Sequence, residues 1–225
     1  MTLSLRLQKI AEYSGKCAVV ADIGTDHALV PVYLIENGLF SHAYACDIGT
    51  LPLKRAEEYV KSRALTDKID LILSNGLEKV PSDADVVIIA GMGGELIRDI
   101  LQNDESHKAA LFVLQPMTAA DELREYLYLN GYSILDEDIV SEHSDTKLYS
   151  VMKVRKSGEN REFSSLDILI SPALQYKNSI EKTRYIEKLI STRKNIIQNL
   201  NNAKEINISY VEKLTNEIKE LEGCL

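Results

Sequence analysis

Apolar positions along the first 155 residues follow two alternating rhythms. Short β-branched runs are separated by longer segments with the three-four spacing of amphipathic helices. Leu5–Tyr13 predicts an opening helix, and Cys17–Ile23, His42–Asp47, Ile69–Leu73, Val86–Ala90 and Leu111–Leu114 predict five strands. His27–Asn37, Pro52–Arg63, Glu95–Gln102 and Ala119–Asn130 read as helices, the last followed by Gly131 just past its end. Tyr132–Leu135 and Lys147–Val154 have no long helix between them, which predicts a closing antiparallel pair. The fold class is therefore α/β, with a mostly parallel seven-stranded sheet.

Beyond a polar stretch at Arg155–Ser165 the pattern becomes helical throughout. Ile186, Leu189, Arg193, Ile196 and Leu200 keep one three-four spacing, and Val211, Leu214, Ile218, Leu221 and Leu225 keep another. The interruption from Asn201-Asn202 to Asn207 predicts two helices of a coiled-coil hairpin. Two units follow: residues 1–157 as the α/β domain, and residues 158–225 as a helical domain.

Charge sharpens this division. Of the net −8, all falls in residues 1–157, where 16 Lys and Arg face 24 Asp and Glu; residues 158–225 balance at 10 against 10. Within the tail, Ala173–Lys204 reads as one helix carrying Lys177, Lys182, Arg184, Lys188, Arg193, Lys194 and Lys204 against only Glu181 and Glu187. A solvated helix face and a phosphate-contacting surface both fit that pattern. Met1–Lys16 has no apolar core, and no run approaches a membrane span, so a cytoplasmic protein is expected. Cys17, Cys46 and Cys224 lack metal-ligand spacing and read as reduced thiols, and no metal site is expected. His42, His107 and His143 read as surface residues.

Candidate chemistry collects at the predicted strand ends. The first strand runs into Asp22-Ile23-Gly24-Thr25-Asp26-His27. Glycine there admits close backbone approach, and the following helix start favours a carboxylate or phosphate. An acid at Asp26 would repel a pyrophosphate but not a sulfonium or amine, which favours S-adenosylmethionine (SAM) over a dinucleotide; a plain structural turn is the other reading. Asp47-Ile48 ends the second strand, where an acid can accept both ribose hydroxyls. Asn75-Gly76 ends the third, with an amide for an adenine edge. Gly91-Met92-Gly93-Gly94 ends the fourth, where reacting atoms would meet. All four points share the carboxyl edge of the sheet, the usual ligand side of open α/β folds. Five βα units and a closing hairpin match the plan of a SAM-dependent methyltransferase. The turn Ala90-Gly91-Met92-Gly93 replaces the Asn/Asp-Pro-Pro-aromatic device used on exocyclic amines, which favours a ring-nitrogen target.

With these motifs in view, the chain resembles the bacterial tRNA (adenine22-N1)-methyltransferases. The resemblance rests on Leu5-Arg6-Leu7 with Ile10-Ala11, Ala21–Pro31, Cys46–Gly49, Asn75–Val80, Ile88–Ile97, Leu114–Pro116 and Leu129–Tyr132. It implies a Rossmann-like SAM methyltransferase domain with a coiled-coil appendage, acting on N1 of adenine in tRNA. Asp22, Gly24, Thr25, Asp26 and His27 would line the methionine end of SAM, Asp47 with Ile48 the ribose side, and Asn75-Gly76 the adenine. Gly91 and Met92 would wall the transferred methyl; Asp26 and Met92 are the catalytic candidates. Lys177, Lys182, Arg184, Lys188, Arg193 and Lys194 would meet RNA. His27 suits a role in ordering Asp26 or contacting SAM better than that of a base. Departures from the family pattern are Gly49-Thr50-Leu51-Pro52-Leu53, Asn75 in place of Asp, Met117 in place of Asn, and Glu142-His143-Ser144-Asp145 in place of Glu-Asp-Gly. The alternatives are a methyltransferase for another RNA or a small molecule, with the tail as a dimerisation arm, and a non-catalytic nucleotide-binding protein. A monomer is expected, with a dimer left open.

Overall fold

The computed structural model describes residues 2–104, 106–107, 110–142, 147–158, 162–202 and 207–225. Seven strands form one sheet: β1 (Val19–Ile23), β2 (His42–Asp47), β3 (Ile69–Leu73), β4 (Val86–Met92), β5 (Leu111–Pro116), β6 (Tyr132–Glu142) and β7 (Lys147–Lys156). Their order is β3-β2-β1-β4-β5-β7-β6; the first five run parallel, and β7 lies antiparallel between β5 and β6.

Alternation along the central strands sorts side chains onto two buried faces. Val20, Ile88 and Val113 pack on one face against α1 (Leu5–Ser14), α2 (Leu29–Glu36) and α3 (Thr50–Ser62). Ala21, Ile23, Val87, Ile89 and Phe112 pack on the other against α4 (Gly94–Gln102) and α5 (Ala120–Leu129). Both faces are covered, so the strands read as continuous apolar runs.

One strand is much longer than the pattern predicts. β6 extends from the expected Tyr132–Leu135 to Glu142, through a run of acids that broke the hydrophobic rhythm. Tertiary partners accommodate each acid: Lys177 pairs Asp136 at 2.8 Å, Arg124 pairs Glu137 at 2.6 Å, and Lys9 pairs Asp138 at 3.2 Å.

The tail contains the expected pair of helices, but the stretch from Ala173 read as one basic helix is split in two. The tail forms α6 (Ser165–Leu169), α7 (Pro172–Gln175), α8 (Ile180–Asn201) and α9 (Ile208–Glu222). Ser171 caps the start of α7 and Ser179 the start of α8, so a local side-chain acceptor opens each helix afresh. Helices α8 and α9 pack together, and Ile186, Ile190, Ile218 and Leu221 share a core with Ile139 of β6. The tail therefore rests on the edge of the sheet.

Arg124 fastens that contact. It is fully buried and donates to Glu137, to the carbonyls of Ile168 and Leu169 at 3.1 and 2.9 Å, and to the Tyr185 hydroxyl at 3.4 Å. Burial alone would push Glu137 up, but the Arg124 charge and hydrogen bonds hold it below the ordinary carboxylate value. No helix among the described residues is long and apolar enough to cross a membrane.

Candidate active site

The β1 turn is shaped by its backbone. Gly24 has φ +79°, and the amides of Gly24 and Thr25 both donate to the Cys46 carbonyl, at 2.8 and 2.9 Å. This folds the chain over the end of β2. Thr25 Oγ1 accepts from the Ala28 amide at 3.1 Å, fixing the entry to α2.

Asp22 is buried at the floor of this turn. Burial raises its carboxyl, the Thr25 hydrogen bond opposes the rise, and neighbouring Asp47 adds to it; the result is a pKa of about 6. Burial first, then Asp22 and Asp47, push the Cys46 thiol up to about 12, which leaves it a neutral packing group. Asp26 stands exposed above, with His27 Nε2 at 3.3 Å and Arg55 Nη1 at 3.4 Å. The expected ordering contact between His27 and Asp26 is thus present, with Arg55 as a partner that the motif did not reveal.

Around this turn lies a hollow of about 310 Å³ whose lining includes Arg6, Asp22, Thr25, Asp26, His27 and Gly91. Arg6 comes from α1 and reaches the sheet edge. Its Nη1 donates to Gln115 Oε1 at 2.7 Å, its guanidinium lies over the Tyr149 ring, and Glu142 sits 3.6 Å from its Nε. The same Gln115 oxygen accepts from the Gly91 amide at 3.2 Å, while Gln115 Nε2 donates to the Pro116 carbonyl. Gln115 is fully buried and ties α1 to the ends of β4 and β5.

A second hollow, about 120 Å³, lies on the α4 side and is lined by Asn75, Gly76, Leu77, Leu96, Ile100 and neighbours. Gly76 has φ +56°, and a Cβ there would meet Ile100 at 3.1 Å. Asn75 donates its amide to Glu78 at 2.7 Å, which leaves its carbonyl oxygen as the acceptor for a ligand amine. Asp47 and Ile48 line neither hollow. They stand at the end of β2, between Asn75 and Gly24 in strand order. Asp47 Oδ1 accepts from the Gly49 amide at 2.7 Å, and Ile48 is 72% exposed.

Met92, at the end of β4, lines neither hollow and lies over the β1 turn. Its Cε would lie 2.2 Å from a Cβ built on Gly24, so the thioether covers the β1 turn, while the φ of +79° makes any side chain at Gly24 strained. A bulge between Ala90 and Met92, with Gly91 at φ +79°, turns the strand there. The turn is locked to β5: Met117 N donates to Met92 O at 2.7 Å, and Gly94 N to Thr118 O at 2.9 Å.

The structure brings Asp22, Gly24, Thr25, Asp26, His27 and Gly91 around one hollow and Asn75 with Gly76 around the other. Arg6, Gln115 and Arg55 escaped sequence reasoning as site residues. Arg6 and Gln115 stood inside resembling motifs, Leu5–Leu7 and Leu114–Pro116, and only folding joins residues 109 apart.

The basic tail divides. Lys182 is buried and donates to the Gln175 carbonyl at 2.8 Å; Arg193 is buried and pairs Glu217 at 2.6 Å; Lys177 pairs Asp136. Lys188 and Lys194 are exposed, Lys194 beside Glu222 at 3.3 Å, and Arg184 is half-buried. Lys204 lies outside the described residues, as do His143, Ser144 and Asp145.

His107 is corrected from surface to core. It is 1% exposed, with Nδ1 2.9 Å from Asp104 and Nε2 2.9 Å from the Pro81 carbonyl. The Asp104 hydrogen bond raises its pKa against the opposing effect of burial. His42 fits its expected surface place, half-exposed and 3.1 Å from Asp70.

Comparison with known proteins places this geometry. The sequence profile of the family described as "Methyltransferase domain" matches residues 3–152. The chain is 34% identical over 201 residues to the tRNA (adenine(22)-N(1))-methyltransferase of Bacillus subtilis (strain 168), covering 86% of this chain and 84% of that protein. The crystal structure of Streptococcus pneumoniae Sp1610, a putative tRNA (m1A22) methyltransferase, superposes with a TM-score of 0.89 at 28% identity, covering all of both chains. TrmK of M. capricolum, in complex with the cofactor product S-adenosylhomocysteine, superposes with a TM-score of 0.84 at 32% identity, covering 99% of this chain and 97% of that one. A seven-stranded sheet with this strand order, a carboxyl edge carrying these turns, and near full-length likeness lead to one conclusion: the chain belongs to the family of SAM-dependent tRNA (adenine22-N1)-methyltransferases.

Proposed function

We propose that this chain transfers a methyl group from SAM to N1 of an adenine in tRNA, at the carboxyl edge of its sheet. The observation that carries the reading is the placement of a buried carboxylate, Asp22, and a guanidinium, Arg6, on one hollow. Opposite charges on one hollow suit the zwitterionic end of an amino acid.

In this reading Asp22 takes the ammonium and Arg6 the carboxylate of the methionine portion. Asp47 accepts from the ribose hydroxyls, and Asn75 with Gly76 receives the adenine. When bound, SAM supplies an electrophilic methyl on a sulfonium. The two hollows, with Asp47 between them in strand order, together form its berth.

The protein's task is mainly positioning. N1 of adenine has its own lone pair, so the transfer needs no strong base. Positive charge develops on the base, and Asp26 stands at the hollow to stabilise it. Arg55 and His27 hold that carboxylate in place. Proton loss from the product goes to water.

An adenine inside a helical stem must leave its stack to reach this edge. The exposed cations on α8, Lys188 and Lys194, with Arg184 beside them, are the tail's phosphate contacts. Lys182 and Arg193 serve the fold instead. We divide the protein at residues 157 and 158 into a catalytic and an RNA-facing unit, acting as a cytoplasmic monomer.

The test is incubation with methyl-labelled SAM and unmodified bulk tRNA, followed by counting label in RNA. Transfer is expected. No transfer to any tRNA, with SAM binding intact, would sink the proposal. The full-length Lys188→Ala/Lys194→Ala variant should keep SAM binding and lose tRNA affinity; unchanged tRNA affinity would remove this face of the tail from RNA recognition.

A further inference from the structure

We propose that the cleft between the β5–α5 turn and helix α8 is a second nucleotide subsite, which takes the base adjacent to the methylated adenosine. The inference rests on the tRNA reading above and extends it to a place outside the cofactor hollows.

The cleft has a volume of about 210 Å³. That is below the roughly 300 Å³ at which small-molecule sites begin, so it suits one ring system rather than a whole cofactor. Its chemistry is that of a base pocket. Leu148, Leu169 and Leu189 give apolar surface, and the hydroxyls of Thr118 and Thr192 stand at the walls. Asp121 and Lys188 contribute one charge of each sign. A lining of zero net charge is poorly suited to phosphate alone. It suits a base whose amino group meets Asp121 while Lys188, exposed at the rim, meets the backbone phosphate.

Continuity with the active site favours this occupant. Met117 and Thr118, on one wall, are the residues whose backbone bonds to Met92 and Gly94 hold the methyl-facing turn. The wall also packs closely on that turn: a Cβ on Gly94 would lie 2.2 Å from the Ala119 carbonyl oxygen. Met117 is 45% exposed, a large apolar side chain beside the chemistry. A polarisable thioether in that position makes a good contact for an aromatic ring.

The opposite wall is equally fixed. Tyr185 faces the cleft and is bonded by Arg124, which also holds the Leu169 carbonyl beneath it. The tail therefore presents a wall braced by Arg124 across the cleft from the β5–α5 turn. A nucleotide next to a flipped adenosine needs such a shelf to hold the strand open.

The experiment compares wild type, Thr192→Trp and Lys188→Ala on tRNA transcripts. Each transcript carries the target adenosine with either an intact 5′ or 3′ neighbour, or an abasic residue in that place. S-adenosylhomocysteine affinity reports on the fold and the cofactor site. Thr192→Trp fills the cleft from an exposed helix position, and Lys188→Ala removes the rim charge. Both variants should raise the KM for intact tRNA, Thr192→Trp by about tenfold, as expected for loss of one stacked base. The kcat and the S-adenosylhomocysteine affinity should stay within about twofold. The abasic transcript on one side should show the same loss with wild type, and no further loss with Thr192→Trp. Unchanged KM in Thr192→Trp, whatever Lys188→Ala shows, or losses that multiply in both abasic arms, would overturn the subsite while leaving the tRNA reading intact. No transfer by wild type to any transcript would overturn the tRNA reading and the subsite with it.

Discussion

The carboxyl of Asp22 offers the sharpest test of the cofactor site. Its pKa in the unliganded fold, about 6, stands against an ordinary 3.8, mainly because of burial. A shift of this size corresponds to about 3 kcal/mol held against the ionised form at pH 7. The sign follows from proton counting. Between pH 4 and 6 the folded chain binds more protons at this site than the unfolded chain, so its stability falls as pH rises through that window. Asp22→Asn keeps the shape and removes the charge. It should stabilise the unliganded protein at pH 7 by about 1–3 kcal/mol, and the gain should vanish below about pH 4.

Cofactor binding reverses the preference, because a ligand ammonium stabilises the carboxylate. Only the ionised fraction is competent at low pH, so affinity for S-adenosylhomocysteine should fall about tenfold between pH 7 and pH 5. Isothermal titration at pH 5, 6 and 7, with urea unfolding alongside, measures both effects. Asp22→Asn should bind weakly with no such slope. A flat wild-type profile, or the same slope in the variant, would refute the argument.

Three further perturbations probe other parts of the account. Asp47→Ala should weaken SAM binding by about 1–3 kcal/mol, the cost of stranding hydrogen-bonded hydroxyls, and unchanged affinity in a titration would remove it from the ribose site. Gly94→Ala places a methyl 2.2 Å from the Ala119 oxygen, so urea unfolding should show a loss of about 1–3 kcal/mol from overpacking, with reduced methyl transfer as the β4 turn shifts. Arg124→Met strands the buried Glu137 and should cost about 3–5 kcal/mol in unfolding experiments, with Arg124→Met/Glu137→Leu recovering much of it.

The parallel core was legible in sequence because its strands are buried on both faces and bounded by turn residues. Ile69–Leu73 and His42–Asp47 fall where their apolar runs end. β6 was not, because Asp136, Glu137 and Asp138 find their cations on Lys177, Arg124 and Lys9, remote in sequence. The basic tail misled for a related reason. Charge counted along a helix does not tell which side chains turn inward, and Lys182 and Arg193 do. His107 reads as a surface residue in sequence because its partners, Asp104 and the Pro81 carbonyl, mark no ligand spacing. At the site, the glycine and acid turns of single strands were readable as local backbone needs. Arg6, Gln115 and Arg55 were not, since their roles come from the meeting of α1, β5 and α3 with the β1 and β4 turns.

The central claim is methyl transfer to one ring nitrogen of tRNA. The most direct measurement uses a single unmodified tRNA transcript with adenosine at position 22, incubated with SAM and digested for mass spectrometry of its nucleosides and fragments. The account expects one methyl group, on N1 of adenosine 22, absent when that base is guanosine and strongly reduced with Asp22→Asn. Methylation at another position or atom, or full activity on the guanosine transcript, would contradict it.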